Sequence, residues 1–219
     1  GFRMDRRHFL LAAGVVAVGL AAPRAGVAAQ GATLPPPALP GDKSLEAALR
    51  ARQTQRSFET RPLPEEILSG LLWAANGVNR PEAGKHTAPT AMNRQEIDVY
   101  VAKADGLFRY EPKEHRLERL STEDLRAATG KQAFAATVPV DLVYVADMGK
   151  VAGATPEEKA FYAGADTGFV SQNVYLYCAA MGLATVVRAS FDGAALAKAM
   201  GLPDGRRITL AQSVGYPKA

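Results

Sequence analysis

The stretch from Pro156 to Arg188, PEEKAFYAGADTGFVSQNVYLYCAAMGLATVVR, decides the fold of this chain. Up to Met181 its apolar spacing predicts one long helix with small residues along its length. From Thr185 to Arg188 the residues become β-branched and predict a strand. A long helix that leads into a strand indicates a fold that combines helices with a sheet.

The rest of the chain supplies further helices and strands on either side of this stretch. Helical patterns occupy Leu45–Arg52, the segment after Pro64, Thr122–Thr129 and Gly193–Met200. Strand patterns occupy Glu96–Ala102, a hairpin over Leu107–Leu120, Val138–Val145 and Ile208–Gly215, and Asn76–Pro89 is predicted as a loop. The order predicts an α+β fold, a mixed sheet flanked by helices.

Composition excludes several classes of function. Hydrophobic residues make up 47% and charged residues 22% of the 219 residues, as in an ordinary globular domain. The net charge of +4 includes no basic block, so the chain is not predicted to bind nucleic acid. A single cysteine, Cys178, excludes an internal disulfide and is predicted to be a core residue rather than a reactive thiol. Dinucleotide, phosphate-loop, hydrolase and metal-ligand motifs are absent from the sequence.

The N-terminus has the features of an export signal. Arg6-Arg7 precede an apolar run, Leu11–Ala22, and the small residues Val27-Ala28-Ala29 that follow fit a cleavage site. Residues 1–30 are therefore predicted to be a twin-arginine signal read by the twin-arginine export machinery, with a Sec signal or a retained anchor as alternatives. Residues 31–43 are predicted to be a proline-rich linker, residues 44–219 the folded domain, and the protein periplasmic.

One short segment suits an anionic ligand. In an extended chain, alternate residues Arg52, Thr54 and Arg56 converge on one side. Two guanidinium groups and a hydroxyl on one side can hold a phosphate, because arginine offers planar, multidentate donors. Alone this pattern is weak, since exposed arginines are more often simply solvated.

Five motifs in order resemble the FMN-dependent nitroreductase family. They are Arg52-Gln53-Thr54-Gln55-Arg56, Pro89-Thr90-Ala91-Met92-Asn93-Arg94-Gln95, Gly182-Leu183, Gly201-Leu202-Pro203 and Gly215-Tyr216-Pro217. The phrase from Leu71 to Pro81, LLWAANGVNRP, is similar to the SagB-type dehydrogenase branch. The resemblance covers roughly Leu45 to Lys218, and it implies a nitroreductase-like homodimer with FMN at the interface.

The resemblance implies roles for individual residues toward FMN. The phosphate would be held by Arg52, Thr54 and Arg56, with Gln53 beside the ring or ribityl chain and Lys218 as a further basic ligand. The other subunit would contribute Pro89, Thr90, Ala91 and Asn93. Backbone groups of Val187, Ala189 and Ser190 would face the flavin N5 edge, and Lys131 or Gln132 would contact the pyrimidine ring. No side chain is predicted to act as a catalytic acid or base.

These expectations describe an FMN-dependent oxidoreductase that passes hydride or electrons between a donor and a small organic substrate by a ping-pong mechanism. The substrate is not indicated, and NAD(P)H, the usual donor in the family, is expected to be scarce outside the cytoplasm. Two alternatives stay open: a flavin-binding carrier or sensor without turnover, and a scaffold that has lost its flavin.

Overall fold

The computed structural model describes residues 31–218, so the predicted export signal lies outside the described residues. The helices are α1 (Leu45–Ala51), α2 (Glu65–Asn76), α3 (Pro156–Met181) and α4 (Gly193–Ala199). The strands are β1 (Gly31–Thr33), β2 (Val78–Arg80), β3 (Lys85–His86), β4 (Ile97–Lys103), β5 (Gly106–Glu111), β6 (Arg116–Ser121), β7 (Val140–Asp147), β8 (Ala184–Arg188) and β9 (Arg206–Gly215). No helix within residues 31–218 is both long and apolar enough to span a membrane.

Seven strands form one sheet in the order β1-β6-β5-β4-β7-β9-β8. All six pairings between neighbouring strands are antiparallel. Successive side chains of a strand point to opposite faces, so Val99 and Val101 pack toward α2 and α3, whereas Tyr100 and Ala102 pack toward α4. The predicted α+β arrangement, a sheet flanked by helices, is confirmed.

The long helix α3 has the predicted bounds, because both of its ends carry strong local signals. Thr155 and Glu158 form a capping box at its start, and Gly182 ends it with a φ of 69°. One side of α3 packs on α1, α2 and the sheet, and there Cys178 is fully buried. Burial raises the pKa of the Cys178 thiol, so this side chain is a protonated core residue, as expected.

Two sequence-based expectations for local structure differ from the structure. The predicted loop Asn76–Pro89 contains a small hairpin of β2 and β3, whose strands are too short to produce an alternating pattern. The predicted helix Thr122–Thr129 is only a 3₁₀ turn, Arg126–Thr129. There the Asp124 carboxylate accepts a hydrogen bond from the Arg126 amide, a local contact that competes with a regular helix.

The proline-rich segment lies along the domain. Residues Gly31–Thr33 pair with β6, and Leu34 is buried in the main core. The Ser69 hydroxyl donates to the carbonyl of Pro35 at 2.5 Å, and the Tyr177 hydroxyl donates to that of Ala38 at 2.9 Å. The boundary of the folded domain stays a prediction, but these contacts attach the segment to the sheet and to both long helices.

Candidate functional site

The segment that contains Arg52, Thr54 and Arg56 is extended and lies beside the edge strand β8. Its backbone joins the sheet through Gln55, whose amide donates to the carbonyl of Thr185 at 3.0 Å. The side chains of all three predicted phosphate ligands are exposed. Within residues 31–218 neither arginine forms an ion pair, so both guanidinium groups are available to an anion.

Tyr175 of α3 joins this segment to β8. Its hydroxyl lies 3.1 Å from Oγ1 of Thr54 and accepts a hydrogen bond of 3.1 Å from the amide of Val187. The guanidinium carbon of Arg52 lies 5.4 Å from the centre of its ring. The Val187 amide donates to this hydroxyl, whereas the hydrogen of the contact between Tyr175 and Thr54 can come from either side chain. Sequence reasoning did not single out Tyr175, since its partners are distant in the chain.

The segment after β8 meets the loop that carries Lys131 and Gln132. The amide of Lys131 donates to the carbonyl of Ser190 at 2.8 Å, and Nε2 of Gln132 donates to Oγ of Ser190 at 2.5 Å. Ala189 is exposed, and Val187 and Ser190 are half-buried. The residues predicted for the flavin N5 edge and for the pyrimidine ring therefore lie side by side.

Gln132 also carries an unused hydrogen-bonding atom. Its Oε1 is buried and accepts no hydrogen bond from residues 31–218. A buried amide oxygen without a donor is costly, and a ligand with an N–H group at this place would satisfy it. The pyrimidine ring of a flavin has such a group, so the residues present fit FMN.

Gln53 belongs to the phosphate segment, and Lys218 lies next to that segment. Gln53 lines a separate cavity of about 260 Å³ with Gln55, Tyr175 and Pro217, next to the face of Arg52 and Thr54. The amide of Lys218 donates to the carbonyl of Ser57 at 3.2 Å, which brings the exposed Lys218 beside Arg56 in the neighbouring segment.

Pro89, Thr90, Ala91 and Asn93 lie elsewhere in the same chain. The amide of Ala91 donates to Oδ2 of Asp166 at 2.9 Å, and Asp166 precedes Tyr175 by nine residues on α3. That separation corresponds to about 13 Å along the helix. The 89–93 segment is thus anchored well away from the 52–56 segment of its own chain.

The 89–95 segment has a strained backbone. Met92, Asn93 and Gln95 have φ values of 55°, 54° and 50°, a region that side chains other than glycine rarely adopt. The hydroxyl of Thr90 accepts a hydrogen bond from the amide of Gln95 at 2.9 Å, which closes the turn. Met92 and Asn93 are exposed as a result.

Two buried carboxyl groups lie beneath this turn. Glu96 is only 1% exposed, and neither of its carboxylate oxygens has a hydrogen-bond partner within the described range. Burial and the neighbouring Asp166 raise the pKa of Glu96 to about 7, while Lys150 opposes the shift. Glu96 is therefore largely protonated in the folded protein below neutral pH, which avoids a second buried negative charge beside Asp166.

Replacing Glu96 with glutamine is expected to stabilise the protein at alkaline pH. In the unfolded chain Glu96 ionises near pH 4.5, but in the folded chain only near pH 7. Its contribution to stability is therefore complete below pH 4.5 and is lost as the pH rises through about 7. This loss of free energy of unfolding, about 3 kcal/mol, should be absent from Glu96→Gln. Urea unfolding at about pH 4.5 and about pH 8 measures it.

The control for this experiment is Glu114→Gln, which removes an exposed carboxylate. It should keep the pH dependence of the wild-type protein. Parallel pH profiles for Glu96→Gln and the wild-type protein would contradict the assignment of the raised pKa to Glu96.

No group of three or more histidine, cysteine, aspartate or glutamate side chains within residues 31–218 is arranged to hold a metal ion. The site therefore consists of exposed cationic side chains, one organised hydroxyl and the backbone at the end of β8. Such donors suit a phosphorylated ligand with a polar ring edge.

Comparison with known proteins agrees with this description. Residues 49–216 match the nitroreductase family. A nitroreductase homologue from Methanocaldococcus jannaschii is 32% identical over 157 residues, which cover 67% of this chain and 79% of that protein. The crystal structure of a nitroreductase homologue from Ralstonia eutropha JMP134 has a TM-score of 0.82 and 39% identity, covering 89% of this chain and 93% of that one. A nitroreductase homologue from Desulfovibrio desulfuricans, solved in complex with FMN, has a TM-score of 0.60 and 19% identity, covering 81% and 88%.

Proposed function

The chain belongs to the nitroreductase family and is an oxidoreductase with FMN as its cofactor, and on this basis we propose that it passes hydride or electrons between a donor and a small organic substrate. The observation that carries the proposal is the junction at Tyr175, where the hydroxyl of Thr54 and the amide of Val187 meet within hydrogen-bond distance of one phenol. Phosphate-binding and ring-binding segments are thereby held next to each other.

Different residues of this chain would bind different parts of FMN. Arg52 and Arg56 neutralise and orient the phosphate, and Thr54 adds a hydroxyl donor. The backbone after β8 and the Gln132 amide group bind the polar edge of the ring. FMN, when bound, supplies the redox chemistry, and no acid or base side chain is required. A donor and an acceptor that bind in turn at one site would give ping-pong kinetics.

The proposal includes a homodimer whose sites are shared between subunits. The outer side of α3 exposes Phe161 by 69% and Phe169 by 47%, next to the exposed glycines Gly164 and Gly168. Large apolar side chains beside small residues favour close helix packing against a second copy. In such a dimer the exposed turn 89–93 of one chain would complete the site of the other, which accounts for its distance from Arg52 in a single chain.

We also propose that residues 1–30 are a twin-arginine export signal and that the protein is periplasmic. Within its family, the chain would belong near the SagB-type dehydrogenases. Export of a folded protein suits a cofactor that is loaded in the cytoplasm. Outside the cytoplasm NAD(P)H is not an expected donor. The reaction in the cell would then be oxidation of a substrate with onward transfer of its electrons, rather than reduction of a nitro group.

Absorbance spectroscopy of the purified protein tests the proposed function. Flavin bands, with FMN released on heat denaturation, are expected. Anaerobic mixing with NADPH, used here as a donor for the purified protein rather than as its proposed donor in the cell, and then with a quinone should bleach and restore the bands in two separate half-reactions. Bound FMN that no donor or acceptor affects would instead indicate a carrier or sensor. A protein that stays colourless after incubation with FMN would contradict the proposal.

A further inference from the structure

A buried ion pair lies directly behind the proposed flavin site. Nη2 of Arg188 is 2.5 Å from Oδ1 of Asp141, and the two side chains are 3% and 0% exposed. The same guanidinium donates to the carbonyl of Thr129 at 2.5 Å and to Oγ of Ser213 at 2.7 Å. Ser213 in turn donates to Asp141 at 2.5 Å. One side chain thus connects β7, β8 and β9 to the 3₁₀ turn Arg126–Thr129.

The position of Arg188 in the sequence gives this network a direct relation to the site. Arg188 is the last residue of β8, between Val187 and Ala189 of the proposed N5 edge. It holds the carbonyl of Thr129, and two residues later the chain reaches Lys131 and Gln132 of the proposed pyrimidine contact. Arg188 therefore joins the two segments that would bind opposite parts of the polar ring edge.

The loop packs against the guanidinium without spare room. A Cβ atom added to Gly130 would collide with Nη1 of Arg188. The φ of Gly130 is −173°, which is extended backbone that any residue adopts, so the collision alone excludes a side chain there. The path of the loop from Thr129 to Gln132 is consequently set by Arg188.

Stability alone does not explain a buried ion pair. Removing two charges from water costs several kcal/mol, and replacing such pairs by apolar side chains is often neutral or stabilising. A guanidinium with several donors at fixed angles instead specifies where its acceptors lie.

We propose that Arg188 and Asp141 are positioning residues, which fix the 129–132 loop against the end of β8 so that Gln132 and Ser190 bind the pyrimidine edge of the flavin in one geometry. This inference rests on the proposed function. Within residues 31–218 no hydrogen bond or ion pair joins Arg188 or Asp141 to the predicted phosphate ligands. Loss of the pair should therefore alter ring binding and leave the phosphate contacts in place.

The test is the double variant Arg188→Met/Asp141→Val, which removes both charges together. In the apoprotein, hydrogen exchange of amides 129–133 should rise about tenfold, because the loop loses its anchor. FMN should bind about tenfold more weakly. The oxidised and reduced forms of a flavin differ in charge and protonation, so the loss of affinity should differ between them, and a tenfold difference would shift the midpoint potential by about 30 mV.

A matched control and a second variant complete the experiment. The control Arg206→Met/Asp98→Val removes a half-buried ion pair of 2.6 Å between β9 and β4, together with the contact of Arg206 with Asp147 at 3.1 Å, and should leave affinity and potential unchanged. Gly130→Ala retains both charged side chains but forces the loop and the Arg188 guanidinium apart, and it should alter affinity and potential in the same direction as the double variant. It serves as the test if the double variant does not fold.

The outcomes separate this inference from the proposed function. If the wild-type protein binds and cycles FMN while both loop variants keep its affinity and potential, the positioning role is wrong and the function stands. If the wild-type protein binds no FMN, both are wrong, even where loop exchange increases. Weaker binding in the control pair equal to that in the double variant would also overturn the positioning role.

Discussion

Replacing Arg52 and Arg56 together with alanine is expected to weaken FMN binding about 100-fold and leave a folded protein. Each guanidinium would donate charge-assisted hydrogen bonds to the phosphate, and bonds to charged groups contribute about 1.5 to 3 kcal/mol each. Two of them amount to at least about 3 kcal/mol, or two orders of magnitude in the dissociation constant. Both side chains are exposed, so their removal should change the free energy of unfolding by less than about 0.5 kcal/mol.

Fluorescence titration of the apoprotein with FMN measures the effect, and the double variant Arg50→Ala/Arg61→Ala is the matched control. These two arginines are also exposed and flank the same segment, but each pairs with a nearby glutamate, Glu46 and Glu59 respectively. The control should bind FMN within about twofold of the wild-type protein. Equal weakening in both variants would show that general charge, rather than the 52–56 segment, attracts the phosphate.

The sequence predicted those helices and strands whose position is determined by residues close together in the chain. The bounds of α3 follow from the apolar spacing of the helix, and its ends are reinforced by a capping box at Thr155 and a left-handed glycine at Gly182. The alternation that predicted the strand near Glu96–Ala102 reflects a sheet with a core on each face. Such signals depend only on neighbours within a few residues, so a single sequence contains them.

Features that depend on distant partners were not predictable in this way. The 31–33 segment becomes a strand only because β6 offers an unpaired edge. Tyr175 contacts Thr54 across 121 positions, and Arg188 contacts Asp141 across 47. Nothing in the local pattern of an alanine-rich helix or a β-branched strand distinguishes these residues from ordinary core side chains. The sequence therefore suggests the binding motifs, which stay predictions, whereas the residues that hold those segments in place required the fold.

Mixed dimers of two differently damaged chains are expected to recover one intact flavin site. The first chain carries Arg52→Ala/Arg56→Ala, and the second carries Asn93→Asp. Aspartate keeps the shape of asparagine and tolerates the φ of 54° at this position, but it adds a negative charge where FMN is expected. As a homodimer, the second variant should bind FMN about tenfold more weakly, because a negative charge beside an anionic cofactor costs about 1 to 2 kcal/mol.

The outcome depends on which chain supplies each segment. If the 89–93 turn of one chain completes the site formed by the arginines of the other, the mixed dimer has one site with all the defects and one with none. Purification through two different tags should then yield one FMN per dimer at wild-type affinity. If both segments of a site belong to one chain, every site in the mixed dimer is damaged and no wild-type affinity returns.

The control variant is Asn79→Asp. Asn79 is also exposed and lies in the neighbouring hairpin, so this variant should leave FMN binding unchanged as either homodimer or mixed dimer. Recovery of half the sites would therefore assign Asn93 to the partner's flavin, whereas its absence would require the turn to reach the flavin of its own chain across about 13 Å of α3.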